Sequence, residues 1–157
     1  MIKLFVLDVD GTLTDGGFYL DGNGTEFKKF NVQDGYGIVS LIKTGVDVVF
    51  LSGRYSKSTE QRAQELKVTH CVNGVEDKLN FLKKYLEKEK ILFDEVLYIG
   101  DDIPDIECIK YSKFGVAPSN AVKDVKLIAD WITVATGGNG AVRECCDFIL
   151  NYNKGTE

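Results

Sequence analysis

Histidine occurs once in this 157-residue sequence, at position 70, and the four cysteines, Cys71, Cys108, Cys145 and Cys146, form no C-x-x-C pair. A zinc site therefore lacks raw material, and the cysteines read as reduced, mostly buried thiols of a cytoplasmic protein. No apolar run approaches the roughly 18 residues of a membrane span. The stretch before Asp8 is too brief for the core of an export signal, so no membrane association is expected. There are only two prolines and no Ser-rich or low-complexity stretch, so a single domain over 1–157 is expected. Lys and Arg number 19 against 24 Asp and Glu, a net charge of −5. That balance speaks against a nucleic-acid partner, and an anionic ligand would need local cations. Neither G-x-x-x-x-G-K-[ST] nor a strand-following G-x-G-x-x-G is present, so a nucleotide-binding loop is a poor fit.

What is present is an alternation. Apolar, β-branched runs at Lys3–Asp8, Asp47–Leu51, Thr69–Val72, Glu95–Ile99, Phe114–Ala117 and Trp131–Val134 each suit a strand buried on both faces. Helical periodicity fills the intervals at Gly35–Lys43, Ser56–Lys67, Glu76–Lys90, Pro104–Tyr111, Ala121–Ala129 and Ala141–Asn151, and the polar tail from Asn153 reads as frayed. Strand then helix, repeated, predicts an α/β chain: a Rossmann-like open parallel sheet with helices on both faces. One stretch breaks the pattern. Phe18–Leu20 and Glu26–Phe30 flank Asp21-Gly22-Asn23-Gly24, a strong hairpin signal inserted after the first strand.

Ligands of parallel sheets bind beyond the carboxyl ends of the strands. Those ends carry Asp8-Val9-Asp10-Gly11-Thr12, then Ser52-Gly53-Arg54, then Gly100-Asp101-Asp102 with Asp105 one turn on, while Lys78 opens the helix between the last two. Taken singly, Asp105 reads as a cap or turn former and Lys78 as a solvated helix residue. Taken together, converging carboxylates repel one another unless a cation sits among them. Magnesium, which takes oxygen ligands and completes its shell with substrate phosphate, is the natural filler. The cluster points to phosphoryl transfer.

Asp8-Val9-Asp10-Gly11-Thr12-Leu13-Thr14, Ser52, Lys78 and Gly100-Asp101-Asp102-x-x-Asp105 resemble, in order, the four motifs of the haloacid dehalogenase superfamily. Within it, the stretches 30–37 (FNVQDGYG), 52–54 (SGR) and 137–144 (GGNGAVRE) resemble the phosphatases that act on 3-deoxy-D-manno-octulosonate 8-phosphate, a step in lipopolysaccharide precursor synthesis. The resemblance implies that fold and a set of roles. Asp8 would attack phosphorus and carry an aspartyl phosphate; Asp10 would be the general acid and base. Magnesium would be held by Asp8, the Asp10 carbonyl and Asp101, with Asp102 and Asp105 orienting the shell. Ser52 and Lys78 would grip the phosphoryl oxygens, with Gly53 beside them. Two family arginines are replaced, by Gln33 and Asn139. Arg54, Lys57 and Arg143 remain as partners for the sugar acid's carboxylate, although Arg143 also fits the surface of an amphipathic helix.

Residues 11–51 and 53–77 are already committed to the predicted elements, so no cap domain fits between the motifs. The hairpin at about 17–30 is the one spare element. It carries Phe18, Tyr19, Leu20, Phe27 and Phe30, and isolated ribbons are marginal in water. The resembled phosphatases are tetramers whose hairpins pair, and the resemblance implies a homotetramer here. Three rivals remain. A phosphoacceptor receiver domain orders its acidic residues differently. A catalytically quiet assembly domain would not need the intact set of Asp8, Asp10, Ser52, Lys78 and Asp101. A phosphatase of nine-carbon keto acids tends to place Glu where this chain has Arg54, which favours the eight-carbon acid.

Overall fold

The computed structural model describes residues 1–156. In chain order it contains β1 (Leu4–Leu7), β2 (Tyr19–Leu20), β3 (Glu26–Phe27), α1 (Val32–Ile42), β4 (Asp47–Ser52), α2 (Lys57–Leu66), β5 (His70–Asn73), α3 (Lys78–Glu89), β6 (Val96–Ile99), α4 (Ile106–Tyr111), β7 (Phe114–Ala117), α5 (Lys123–Ile128), β8 (Trp131–Ile132) and α6 (Ala141–Lys154). Six strands form one sheet in the order β5-β4-β1-β6-β7-β8, parallel at every pairing. The predicted sheet is present, with each expected strand in place. None of the helices is long and apolar enough to cross a membrane among the described residues.

The strands' two-residue period divides the core into two layers. Phe5, Leu7, Val48, Phe50, Leu97 and Ile99 point to one face, where α1, α2 and α6 supply Ile38, Leu41, Ala63, Leu66, Val142, Cys145 and Ile149. Leu4, Val6, Val49, Leu51, Val96 and Tyr98 point to the other, against Leu82, Tyr85 and Leu86 of α3, Cys108 and Ile109 of α4 and Val125 of α5. At about 1.5–3 kcal/mol for each fully buried large apolar side chain, both layers are needed. The central strands β1, β4 and β6 are buried on both faces as predicted, whereas β5 is only half-buried and β8 is two residues long. These are the edges of the sheet, and their outer flanks meet solvent.

Local chemistry moves several boundaries. Helix α1 begins at Val32 rather than Gly35 because the Asn31 side chain accepts from the Gln33 and Asp34 amides. Helix α3 begins at Lys78 rather than Glu76 because Asp77 caps it through the Asn80 amide. At the other end α6 runs on to Lys154. The expected fraying from Asn153 is incorrect, since the Asn153 amide accepts from the Ile2 N–H at 2.7 Å and donates to its carbonyl at 2.8 Å. Glu157 lies outside the described residues.

The hairpin stands apart as a two-stranded antiparallel ribbon, Tyr19 opposite Phe27 and Leu20 opposite Glu26. Asp21 shapes its turn by accepting from the Asn23 and Thr25 amides, with Gly22 and Gly24 in the left-handed region at φ +81° and +88°. No cap domain interrupts the described residues; only a turn over Val9–Leu13, this ribbon and α1 lie between β1 and β4.

Candidate active site

Chain order turns back at β1: β4 and β5 lie on one side of it, β6 to β8 on the other. The carboxyl ends of β1 and β6 flank that reversal, the place where an open parallel sheet leaves a crevice. Asp8 follows β1 and its amide bonds to the Ile99 carbonyl at the end of β6, at 3.0 Å. Beyond Asp8 the chain makes a wide turn over Val9–Leu13 with Gly11 at φ +88°. A side chain at Gly11 would collide with the Asp101 carboxylate, so this glycine is what lets Asp101 approach the Asp8 loop.

Lys78, the first residue of α3, lies buried between the two ends. Its Nζ donates to Asp8 Oδ1 at 2.6 Å and to Asp105 Oδ1 at 2.8 Å. Asp105 is fully engaged: Oδ1 also accepts from the Tyr98 hydroxyl at 2.6 Å, and Oδ2 accepts from the Asp101 and Asp102 amides at 3.1 and 3.2 Å. Gly100 makes room for it, since a Cβ there would overlap the Asp105 side chain. Burial, then the charge of Asp105, pushes the Asp8 carboxyl well above its ordinary value, with Lys78 acting against them. Burial also raises Asp101. Lys78 by contrast is held above the ordinary lysine range, because Asp8 and Asp105 outweigh the burial that would lower it.

Asp8, Asp101 and Asp105 each bring a carboxylate oxygen within 4.8 Å of the others. One ammonium faces three acids, and the two whose oxygens are not consumed by positioning, Asp8 and Asp101, are those that burial leaves undercompensated. A hard divalent cation fits such an oxygen set. Asp102 lies at the rim, where it bonds the Ile103 amide at 2.8 Å and begins the turn into α4.

Asp8, Asp10, Ser52, Gly53, Arg54, Lys78, Asp101, Asp102 and Asp105 all line one open cleft of about 380 Å³, together with Val75, Glu76 and Pro104. Ser52 ends β4, and its hydroxyl folds the following turn by donating to the Arg54 carbonyl at 2.8 Å. Lys57 faces a neighbouring hollow between α2 and the hairpin, with Thr25, Glu26 and Tyr55. Arg143 is not brought to the cleft. It pairs with Asp147 at 2.9 Å and lies over Tyr36, the helix-surface alternative. Its amide donates to Asp34 Oδ1 at 2.9 Å, so Asp34 of α1 caps the first turn of α6.

That contact recasts two stretches first read for substrate recognition. Gly37 clears space for Arg143 and Cys146, while Gly137 and Gly138 sit so close to Gly11–Thr14 that side chains there would clash. Asn120 clamps the same junction, donating to the Gly11 carbonyl and accepting from the Gly137 amide. The second stretch braces the Asp8 loop, and the first holds the start of α6 behind it. Asn139 folds back onto Thr136 and Gly137.

Sequence reasoning missed Tyr98, Glu26 and Lys28. The Lys28 side chain is 0% exposed, and its Nζ bonds Asp10 Oδ1 at 2.7 Å. The available signal was alternation: Glu26, Lys28 and Phe30 turn inward, Phe27 and Lys29 outward.

A doubly wound parallel sheet with acidic ends on β1 and β6 and one buried lysine between them is the architecture of a haloacid dehalogenase-like hydrolase, and the family model of that description matches residues 72–144. The 3-deoxy-D-manno-octulosonate 8-phosphate phosphatase KdsC of Escherichia coli K12 is 41% identical over 149 residues, 95% of this chain and 79% of its own length. The crystal structure of the Moraxella catarrhalis 3-deoxy-D-manno-octulosonate 8-phosphate phosphatase, in complex with magnesium, phosphate and KDO, matches with a TM-score of 0.93 and 42% identity over 96% of this chain and 86% of that one. The cobalt-bound Haemophilus influenzae phosphatase matches at 0.91 and 34% identity, over 96% and 88%. The chain belongs to this family of phosphoric monoester hydrolases.

Proposed function

We propose that the protein hydrolyses 3-deoxy-D-manno-octulosonate 8-phosphate to the free sugar acid and phosphate, with magnesium as cofactor, Asp8 as nucleophile and Asp10 as general acid and base. The observation that carries this is the buried Lys78 ammonium held between Asp8 and Asp105, with Asp101 completing an oxygen set in the same cleft. Asp8, the Asp10 carbonyl and Asp101 would hold the metal. When bound, it supplies a fixed positive charge that neutralises the phosphoryl oxygens and the carboxylates around them.

The residues then divide the work. An Asp8 oxygen attacks phosphorus and forms a new P–O bond as the bond to the sugar C8 oxygen breaks. Asp10 gives that oxygen a proton, then takes one from the water that attacks the aspartyl phosphate, and Asp8 is regenerated as phosphate leaves. Lys78 and the Ser52 hydroxyl, with the Gly53 backbone beside it, grip the phosphoryl oxygens. Asp105 and Tyr98 hold Lys78 in place, and Asp102 shapes the rim. Arg54, with a guanidinium fork suited to carboxylates, reads the sugar acid, and Lys57 adds charge from the next hollow. Arg54 favours the eight-carbon over the nine-carbon acid.

One domain over 1–157 acts here as part of a homotetramer assembled through the hairpin at about 17–30. Its exposed Phe18, Tyr19, Leu20 and Phe27 support that reading. The four cysteines are free, consistent with a cytoplasmic setting. The deciding experiment measures phosphate release from 3-deoxy-D-manno-octulosonate 8-phosphate with magnesium, with chelator, and with Arg54→Ala. Rapid release that chelator abolishes is expected, and Arg54→Ala should lose far more on the sugar acid than on 4-nitrophenyl phosphate. Failure to hydrolyse the sugar-acid phosphate refutes the proposal.

A further inference from the structure

The ribbon strand that leaves the turn is inverted: Glu26 and Lys28 face the protein and Phe27 faces out, 57% exposed. Residues two apart share a face of a strand, and the inward pair here is Glu26 and Lys28. Glu26 Oε2 pairs with Arg54 Nη2, while the Phe18 ring lies 4.2 Å from the same guanidinium. Two hairpin residues thus hold one side chain, Glu26 at an edge and Phe18 over a face. Glu26 is itself anchored. The Ser58 hydroxyl of α2 donates to its carbonyl at 3.2 Å, and Lys28 Nζ stands 3.6 Å from its Oε1. That Oε1 is buried and has no hydrogen-bond partner. Its compensation is the Lys28 charge, an ion pair without a hydrogen bond, and burying a carboxylate oxygen on those terms is a cost met at the point where the chain holds Arg54.

We infer that Glu26 is a specificity-determining positioning residue, which fixes the Arg54 guanidinium for the carboxylate of an incoming sugar-acid phosphate. The inference rests on the reading of Arg54 given above. An arginine has five N–H donors; Glu26 takes one edge and leaves the rest free at the cleft. Long side chains lose rotamer freedom when they bind, and one already held loses less. The larger benefit falls to ligands that use Arg54, since Glu26 meets Arg54 directly and reaches Asp10 only through Lys28. The ordering is also local to the hairpin, so the ribbon connects substrate choice to whatever covers its outer face.

The test is Glu26→Gln, which keeps the shape and removes the charge. Kinetics are measured on 3-deoxy-D-manno-octulosonate 8-phosphate and on 4-nitrophenyl phosphate, beside wild type and Arg54→Ala. KM for the sugar-acid phosphate should rise about tenfold with kcat nearly unchanged, the signature of lost uniform binding. The aryl phosphate should show little change. An unchanged or lowered KM for the sugar acid overturns the inference, and so do equal losses on both substrates, which would mark Glu26 as merely structural. If Arg54→Ala itself spares the sugar acid, the reading of Arg54 fails first, and that outcome is visible without the Glu26 variant.

Discussion

Lys78 meets two carboxylates with a single ammonium, and every acid around it is placed by a backbone amide, a hydroxyl or that ammonium. Such a cluster is sensitive to any change of charge. Lys78→Met leaves Asp8 and Asp105 buried without their cation, and stability should fall by about 3 kcal/mol, read as a lowered midpoint of urea unfolding in metal-free protein. With Asp8 as nucleophile, Asp8→Asn is expected to abolish turnover while the fold persists, because the amide cannot attack phosphorus. Asp10→Asn should lower kcat by about 10²–10⁴-fold, the usual worth of general acid and base catalysis. Steady-state assays with circular dichroism as a folding control check both. The acids on the strand ends were legible because their types and order are local properties of short segments. Tyr98 was not, since one hydroxyl inside the apolar run of β6 looks like core until Asp105 is seen beside it. For Arg143 the sequence offered both a carboxylate partner and a helix-surface residue, and the contacts with Asp147 and Tyr36 place it on the helix surface.

At the scale of elements, the strand and helix alternation could be read almost completely, because burial on both faces writes long apolar runs into β1, β4 and β6. Element ends were harder. Asn31 and Asp77 set the starts of α1 and α3 through one side chain each, and the end of α6 depends on Asn153 meeting Ile2 from the far end of the sequence, which no local pattern encodes. The hairpin was visible from its D-G/N-G turn, but its inverted faces were not, since Glu26-Phe27-Lys28 reads like any exposed amphipathic strand. That inversion carries a prediction. With assembly through the ribbon, Phe18→Asp combined with Phe27→Asp should yield monomers in analytical ultracentrifugation, with an intact α/β circular dichroism spectrum and weak turnover of the sugar acid. A fully active monomer would rule the arrangement out.

For the molecule as a whole, the undercompensated Asp8 and Asp101 tie stability to metal. Magnesium that binds the folded state alone should stabilise it by about 2.7 kcal/mol at a hundredfold excess over Kd. A thermal shift with magnesium that Asp101→Asn suppresses would show this without any turnover. The junction of Gly137 and Gly138 with Gly11–Thr14, clamped by Asn120, has a consequence in time rather than space. The loop that carries Asp8 lies near the start of the sequence, and its brace arrives more than a hundred residues later. Contacts so distant in sequence form slowly, after local ones. The sheet can therefore assemble before its rim is competent, and during refolding far-ultraviolet circular dichroism should recover ahead of phosphatase activity. Catalytic power would be among the last properties this chain acquires, switched on when α6 docks.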